Sequence, residues 1–116
     1  MQLDIFSDPI CPWCFIGKRR LEAALDARPD ARPLIRWRTF QLNPDMPPGG
    51  MDRQTYLNVK FGGSERAGQI YGNIASVGRT VGIDFNFDRI EVTPNTISAH
   101  RLIRFTQQRR PDLCFD

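Results

Sequence analysis

The order strand, turn, helix, strand, legible in the first 44 residues, constrains the fold more than any other feature of this chain. Leu3, Ile5 and Phe6 read as a short buried strand that ends at Ser7-Asp8-Pro9. From Cys14 onward, Phe15, Ile16, Leu21, Ala24 and Leu25 recur at nearly helical spacing until Arg28-Pro29-Asp30 stops the pattern. Pro12 is compatible with that helix because it falls in the first turn, where its missing N–H has no intrahelical acceptor. Leu34, Ile35, Trp37, Phe40 and Leu42 form a second extended segment, closed by Asn43-Pro44. A strand, a crossing helix and a strand demand parallel pairing and a right-handed crossover, so the fold class is α/β. The carboxyl end of the first strand is where open α/β sheets place their chemistry.

The rest of the chain reads as mainly helical. Residues 44–51 are a Pro- and Gly-rich loop, and Asp52 to Lys60 predicts a short helix broken at Phe61-Gly62-Gly63. Ser64 is placed to cap a second helix running to about Val81, with Gly82 ending it. Residues 83–87 alternate and read as an extended connector. Thr93-Pro94-Asn95-Thr96 then caps a last helix that carries Ile97, Leu102, Ile103 and Phe105, and Pro111 terminates it.

Composition narrows the class of partner. With 116 residues, 41% apolar and 25% charged, the chain is ordinary globular material of about one domain. Its net charge of +3 comes from arginines scattered in pairs such as Arg19-Arg20 and Arg109-Arg110, which reads as a solvated surface and not as a nucleic-acid face. The amino terminus lacks a basic start, a long apolar run and a small-residue cleavage site, and no apolar run approaches a membrane span. A cytoplasmic location without membrane contact is therefore expected. Three cysteines, one unpaired by arithmetic, also suit a reducing compartment.

Cys11 and Cys14, spaced three apart at the start of the first helix, share one helix face and can close a disulfide with little backbone movement. Unsatisfied N–H groups and the helix dipole at that start favour a Cys11 thiolate, with Cys14 less exposed one turn in. A lowered thiol pKa stabilises the reduced pair and makes the couple more oxidising. Trp13 adds bulk and no charge between the cysteines, which predicts a moderate potential. Zinc uses the same spacing but needs two further ligands, and His100 and Cys114 lie far off without forming a second pair, so no metal is expected. Cys114 reads as a spectator.

The segment Asp8-Pro9-Ile10-Cys11-Pro12-Trp13-Cys14-Phe15-Ile16-Gly17 resembles the active-site segment of DsbA-like thioredoxin-domain proteins of the FrnE branch. Phe40-Gln41-Leu42-Asn43-Pro44, Asn95-Thr96 and Ala99-His100-Arg101-Leu102 extend the resemblance over nearly the whole chain. It implies a thioredoxin-like fold of the DsbA type with a helical insertion, of which this chain holds an amino-terminal portion. Residues 1–44 would be the βαβ part, residues 45–116 the start of the insertion, and the carboxyl-terminal half, with its cis-proline strand, would be absent. The implied activity is dithiol–disulfide exchange with protein or small-thiol substrates, without a cofactor. Cys11 would attack and Cys14 resolve, while Asp8, Pro9, Pro12 and Trp13 would shape the site and His100 would pack in the insertion.

Two other readings stay open. Kappa-class glutathione transferases and 2-hydroxychromene-2-carboxylate isomerases are related, but generally carry serine where this chain has Cys11. A non-catalytic truncated module that acts by association is the third. Two strands make a marginal sheet, and unsatisfied helix faces predict homo-oligomers.

Overall fold

The structure is a computed structural model that describes residues 1–113. Cys114, read above as a spectator, lies outside the described residues. In chain order the elements are β1 (Gln2–Ser7), α1 (Pro12–Ala27), β2 (Leu34–Thr39), β3 (Met51–Asp52), α2 (Arg53–Phe61), α3 (Ser64–Arg79), β4 (Val92–Thr93) and α4 (Ile97–Arg109), with short 3-10 turns at Phe87–Arg89 and Pro111–Leu113. They gather into two compact units. One joins Met1–Pro44 to the chain from Thr96 on, and the other is Asp45–Asn95.

In the first unit β1 and β2 pair in parallel from Gln2↔Leu34 to Ser7↔Thr39, with α1 as the crossover that parallel pairing requires. Ile16 on α1 is 1% exposed and is the buried apolar anchor of this unit. β2 ends at Thr39, short of the Leu42 expected from its apolar run. The reason is competition for the backbone. The Phe40 N–H still reaches the Ser7 carbonyl at 3.1 Å, but the Phe40 carbonyl faces His100 and the Leu42 N–H donates to the Asp8 carboxylate.

Helix α4 lies in residues 45–116, the stretch that the sequence reading assigns to the start of the insertion. It groups with β1, α1 and β2 because its side chains bond to β2 and the segment just after it. The Gln107 carboxamide grips Trp37 at both main-chain groups, accepting from its N–H at 2.6 Å and donating to its carbonyl at 3.0 Å. His100, one face of the same helix, meets the Phe40 carbonyl.

The second unit closes on its own core of Met46, Tyr56, Ala67, Ile74 and Ile83. Asp52 caps α2, its carboxylate accepting from the Thr55 N–H at 3.1 Å, and Gly62 ends that helix at φ 79°, a left-handed geometry that suits glycine. The expected Ser64 cap is shifted by one: Gly63 is the N-cap of α3 and Ser64 its first helical residue. Gly78 lets α3 press against Phe85, since a Cβ there would lie 2.6 Å from the ring. Arg53 is buried over Tyr71 and donates to Thr93 Oγ1 at 3.0 Å. The antiparallel pair β3–β4 was not legible in the sequence, because two residues leave no alternation to read.

Candidate functional site

The site is built on the turn that carries β1 into α1. The Cys11 N–H donates to the Asp8 carbonyl at 3.0 Å, closing a four-residue turn with Pro9 at its second position, where a fixed φ suits the bend. The Asp8 side chain closes a smaller loop inside the same turn: its Oδ1 accepts from the Ile10 N–H at 3.3 Å, an Asx turn. Oδ2 accepts from the Leu42 N–H at 2.9 Å, tying the segment after β2 to the same carboxylate. Asp8 is 1% exposed, so a full set of donors is what makes its burial tolerable.

His100 completes that set. Its Nε2 lies 3.4 Å from Asp8 Oδ1 and 3.0 Å from the Phe40 carbonyl, and the residue is 6% exposed. A carbonyl oxygen only accepts, so the nitrogen facing it carries a hydrogen whether the ring is neutral or charged. The sequence reading takes this residue as a histidine that packs in the insertion, and it is indeed buried. Its ring reaches β2's end and the Asp8 turn because α4 belongs with them.

Cys11 is the N-cap of α1, in extended backbone geometry (φ −90°, ψ 109°), and Pro12 opens the helix. Its carbonyl accepts from the Cys14 N–H at 3.1 Å, so the second cysteine stands one turn along the same face. Both cysteines are free thiols and half-buried. The Cys11 thiol is pushed above the ordinary thiol range, first by burial and then by its hydrogen bond with the Cys14 thiol, while the Cys14 and Trp13 N–H groups pull the other way. This reverses the expectation of a helix-start thiolate: the helix N–H groups are present, and desolvation outweighs them.

The two cysteines share a cavity of about 300 Å³ with Ser7, Asp8, Pro9, Phe15, Lys18, Arg19 and Ile103. Of the residues the sequence singled out, Asp8 and Pro9 line it with the cysteines, whereas Pro12 and Trp13 do not. Trp13 is 45% exposed. Lys18 and Arg19 of α1, which the sequence reading also counts among the residues acting on the pair, line the cavity as well. Both pair with Glu22, Arg19 at 2.9 Å, and their hydrogen bonds hold that carboxyl below its usual range. Arg19 also lies over the Phe15 ring at 5.2 Å. A second cavity of about 410 Å³, lined by Phe6, Trp37, His100 and Arg104 among others, contains neither cysteine. Among the described residues no group of three or more His, Cys, Asp and Glu side chains converges as a metal site would need, and no helix is long and apolar enough to cross a membrane.

Comparison with known proteins agrees with this geometry. Residues 2–113 match the family model of the DSBA-like thioredoxin domain. The crystal structure of a probable DsbA oxidoreductase from Streptomyces coelicolor is similar, with a TM-score of 0.80 and 30% identity over 94% of this chain and 47% of that one. The chain thus spans about half the length of that solved relative. No curated protein sequence matches it.

Proposed function

The chain belongs to the DSBA-like thioredoxin domain family, and from that premise we propose that Cys11 and Cys14 form a reversible dithiol–disulfide couple that exchanges electrons with protein or small-thiol substrates. The observation that carries this reading is the placement of two free thiols at the N-cap and one turn into α1, facing one cavity at the carboxyl end of β1.

In the reducing direction the Cys11 thiolate attacks one sulfur of a substrate disulfide and the other sulfur leaves as a thiolate. The mixed disulfide is then broken by the Cys14 thiolate attacking Cys11 Sγ, which releases the second substrate thiol and leaves the Cys11–Cys14 disulfide. Two electrons pass to the substrate, and the reverse sequence oxidises a substrate dithiol. Burial keeps Cys11 mainly protonated at neutral pH, so the attacking thiolate is the minor form of the reduced pair. Asp8 and Pro9 shape the turn that presents Cys11, Pro12 starts the helix, and Trp13 offers an exposed ring beside the thiols for substrate contact. The motif residues 8–17 support the FrnE branch, and the exposed apolar side chains of the cysteine-bearing unit support self-association.

The test is a redox titration of the chain by mass-tagged alkylation, repeated on Cys11→Ser and Cys14→Ser. Wild type should lose two thiols together as one two-electron couple, and each variant should retain a thiol that no longer titrates with a partner. Independent titration of the two thiols in wild type would overturn the reading. A transferase-type activity, by contrast, would survive blocking of Cys11.

A further inference from the structure

The Cys11 side chain makes no capping bond, and its N–H is held by the Asp8 turn. That turn depends on the Asp8 carboxylate staying on the Ile10 N–H. Two main-chain donors, Ile10 and Leu42, come from the segments adjoining β1 and β2. His100 Nε2, from α4, hydrogen-bonds the Phe40 carbonyl at 3.0 Å and lies 3.4 Å from Asp8 Oδ1. One nitrogen thereby faces both the carboxylate and the segment after β2.

We propose that His100 is a positioning residue for the Cys11 thiol, acting through Asp8; the inference rests on the disulfide-exchange reading of the same site. With the imidazole in place, Asp8 Oδ1 stays on Ile10 and the turn delivers Cys11 to the Trp13 and Cys14 N–H groups that favour its thiolate. Without it, the carboxylate loses the nitrogen that faces it, the turn loosens, and Cys11 is presented less closely to those N–H groups. The other charges around the two cavities are Lys18, Arg19 and Glu22 on α1, Arg38 on β2 with its partner Asp4 on β1, and Arg104 on α4.

The experiment compares His100→Leu and His100→Gln in the intact chain. The readouts are the alkylation rate of Cys11 by iodoacetamide across pH, with Cys14 as the internal reference, and the potential of the pair in glutathione buffers. His100→Leu should raise the Cys11 pKa by about one unit and slow its alkylation at neutral pH about tenfold, with a smaller change at Cys14. His100→Gln, whose amide N–H can reach the same carbonyl, should stay within about twofold of wild type. Wild-type Cys11 alkylation in the leucine variant would overturn the proposal, as would a glutamine variant no better than leucine. Should His100→Leu unfold, shown by equal reactivity of both thiols, the folded glutamine variant decides: retention supports positioning and loss overturns it. Failure of the underlying reading looks different, because there the wild-type thiols do not titrate as one couple although Cys11 still responds to His100.

Discussion

The two units of this molecule are held together by different kinds of force. In residues 45–95, Met46, Tyr56, Ala67, Ile74 and Ile83 are buried, and the large apolar side chains left exposed are Val59 and Val92. In the unit that carries the cysteines, Ile16 is the apolar side chain buried to that degree among the described residues, while Phe6, Leu34, Phe40, Leu102 and Phe105 are half exposed or more. Its order comes instead from directional bonds to the backbone: Asp8 to Ile10 and Leu42, His100 to Phe40, and Gln107 to Trp37. Apolar burial stabilises without specifying an angle, whereas hydrogen bonds fix positions closely and contribute only about 1 kcal/mol each. The thiol-bearing turn is therefore well placed inside a unit with little cohesion of its own.

That contrast can be broken or sharpened by substitution. Ile16→Ala should have the largest effect, about 3 kcal/mol lost in urea unfolding, because no other described apolar side chain in its unit is as deeply buried. A loss below about 1 kcal/mol would show that the unit does not lean on that side chain. Gly78→Ala should cost about 2 kcal/mol by forcing a methyl group against Phe85. Amide exchange should then speed up in residues 45–95 and stay unchanged around Cys11; uniform loss of protection would mean that the two units unfold as one. Asp52→Ala, which removes the α2 cap, should cost about 1 kcal/mol by thermal melting and again act locally.

A smaller effect is expected from pH. The folded chain raises the Cys11 pKa, so it binds that proton more tightly than the unfolded chain does. The stabilising contribution is complete below the unfolded thiol value of about 8.5 and is lost as pH rises through the higher folded value. Urea midpoints of the reduced chain should fall over that range, and Cys11→Ser should flatten the dependence. The least effect on stability, within about 0.5 kcal/mol, is expected for Leu102→Gln with Phe105→Gln, both exposed on α4. The same pair should reduce the mass of any associated species in equilibrium sedimentation. An unchanged mass distribution would rule these side chains out as the contact.

What the sequence disclosed follows the range of the interactions concerned. The βαβ order was legible because Leu3, Ile5, Ile16, Leu21, Ile35 and Trp37 carry their periodicity locally, and the cysteine pair because its spacing is a property of one helix turn. The ends of helices at Gly62 and Pro111 were legible for the same reason. The meeting of Asp8 with His100 was hidden: the residues are remote in the chain, and a single histidine on a helix announces no partner. The membership of α4 was hidden too, since it depends on Gln107 and His100 finding backbone groups of β2 and its continuation. The direction of the Cys11 shift failed for a related reason. The helix start that favours a thiolate is local, but the burial that opposes it is supplied by the surrounding fold.

The bond pair between Gln107 and Trp37 has one more consequence. A carboxamide that accepts from the N–H and donates to the C=O of one residue imitates a neighbouring strand, so the outer side of β2 is already stoppered at its middle. β1 pairs with β2 and with no other strand among the described residues, which leaves the opposite side as the one edge able to receive another. A sheet with a single adhesive edge can accept a partner strand, but having done so it offers no second template. Growth by edge pairing, were it to occur, would end in a closed pair and not in a fibre.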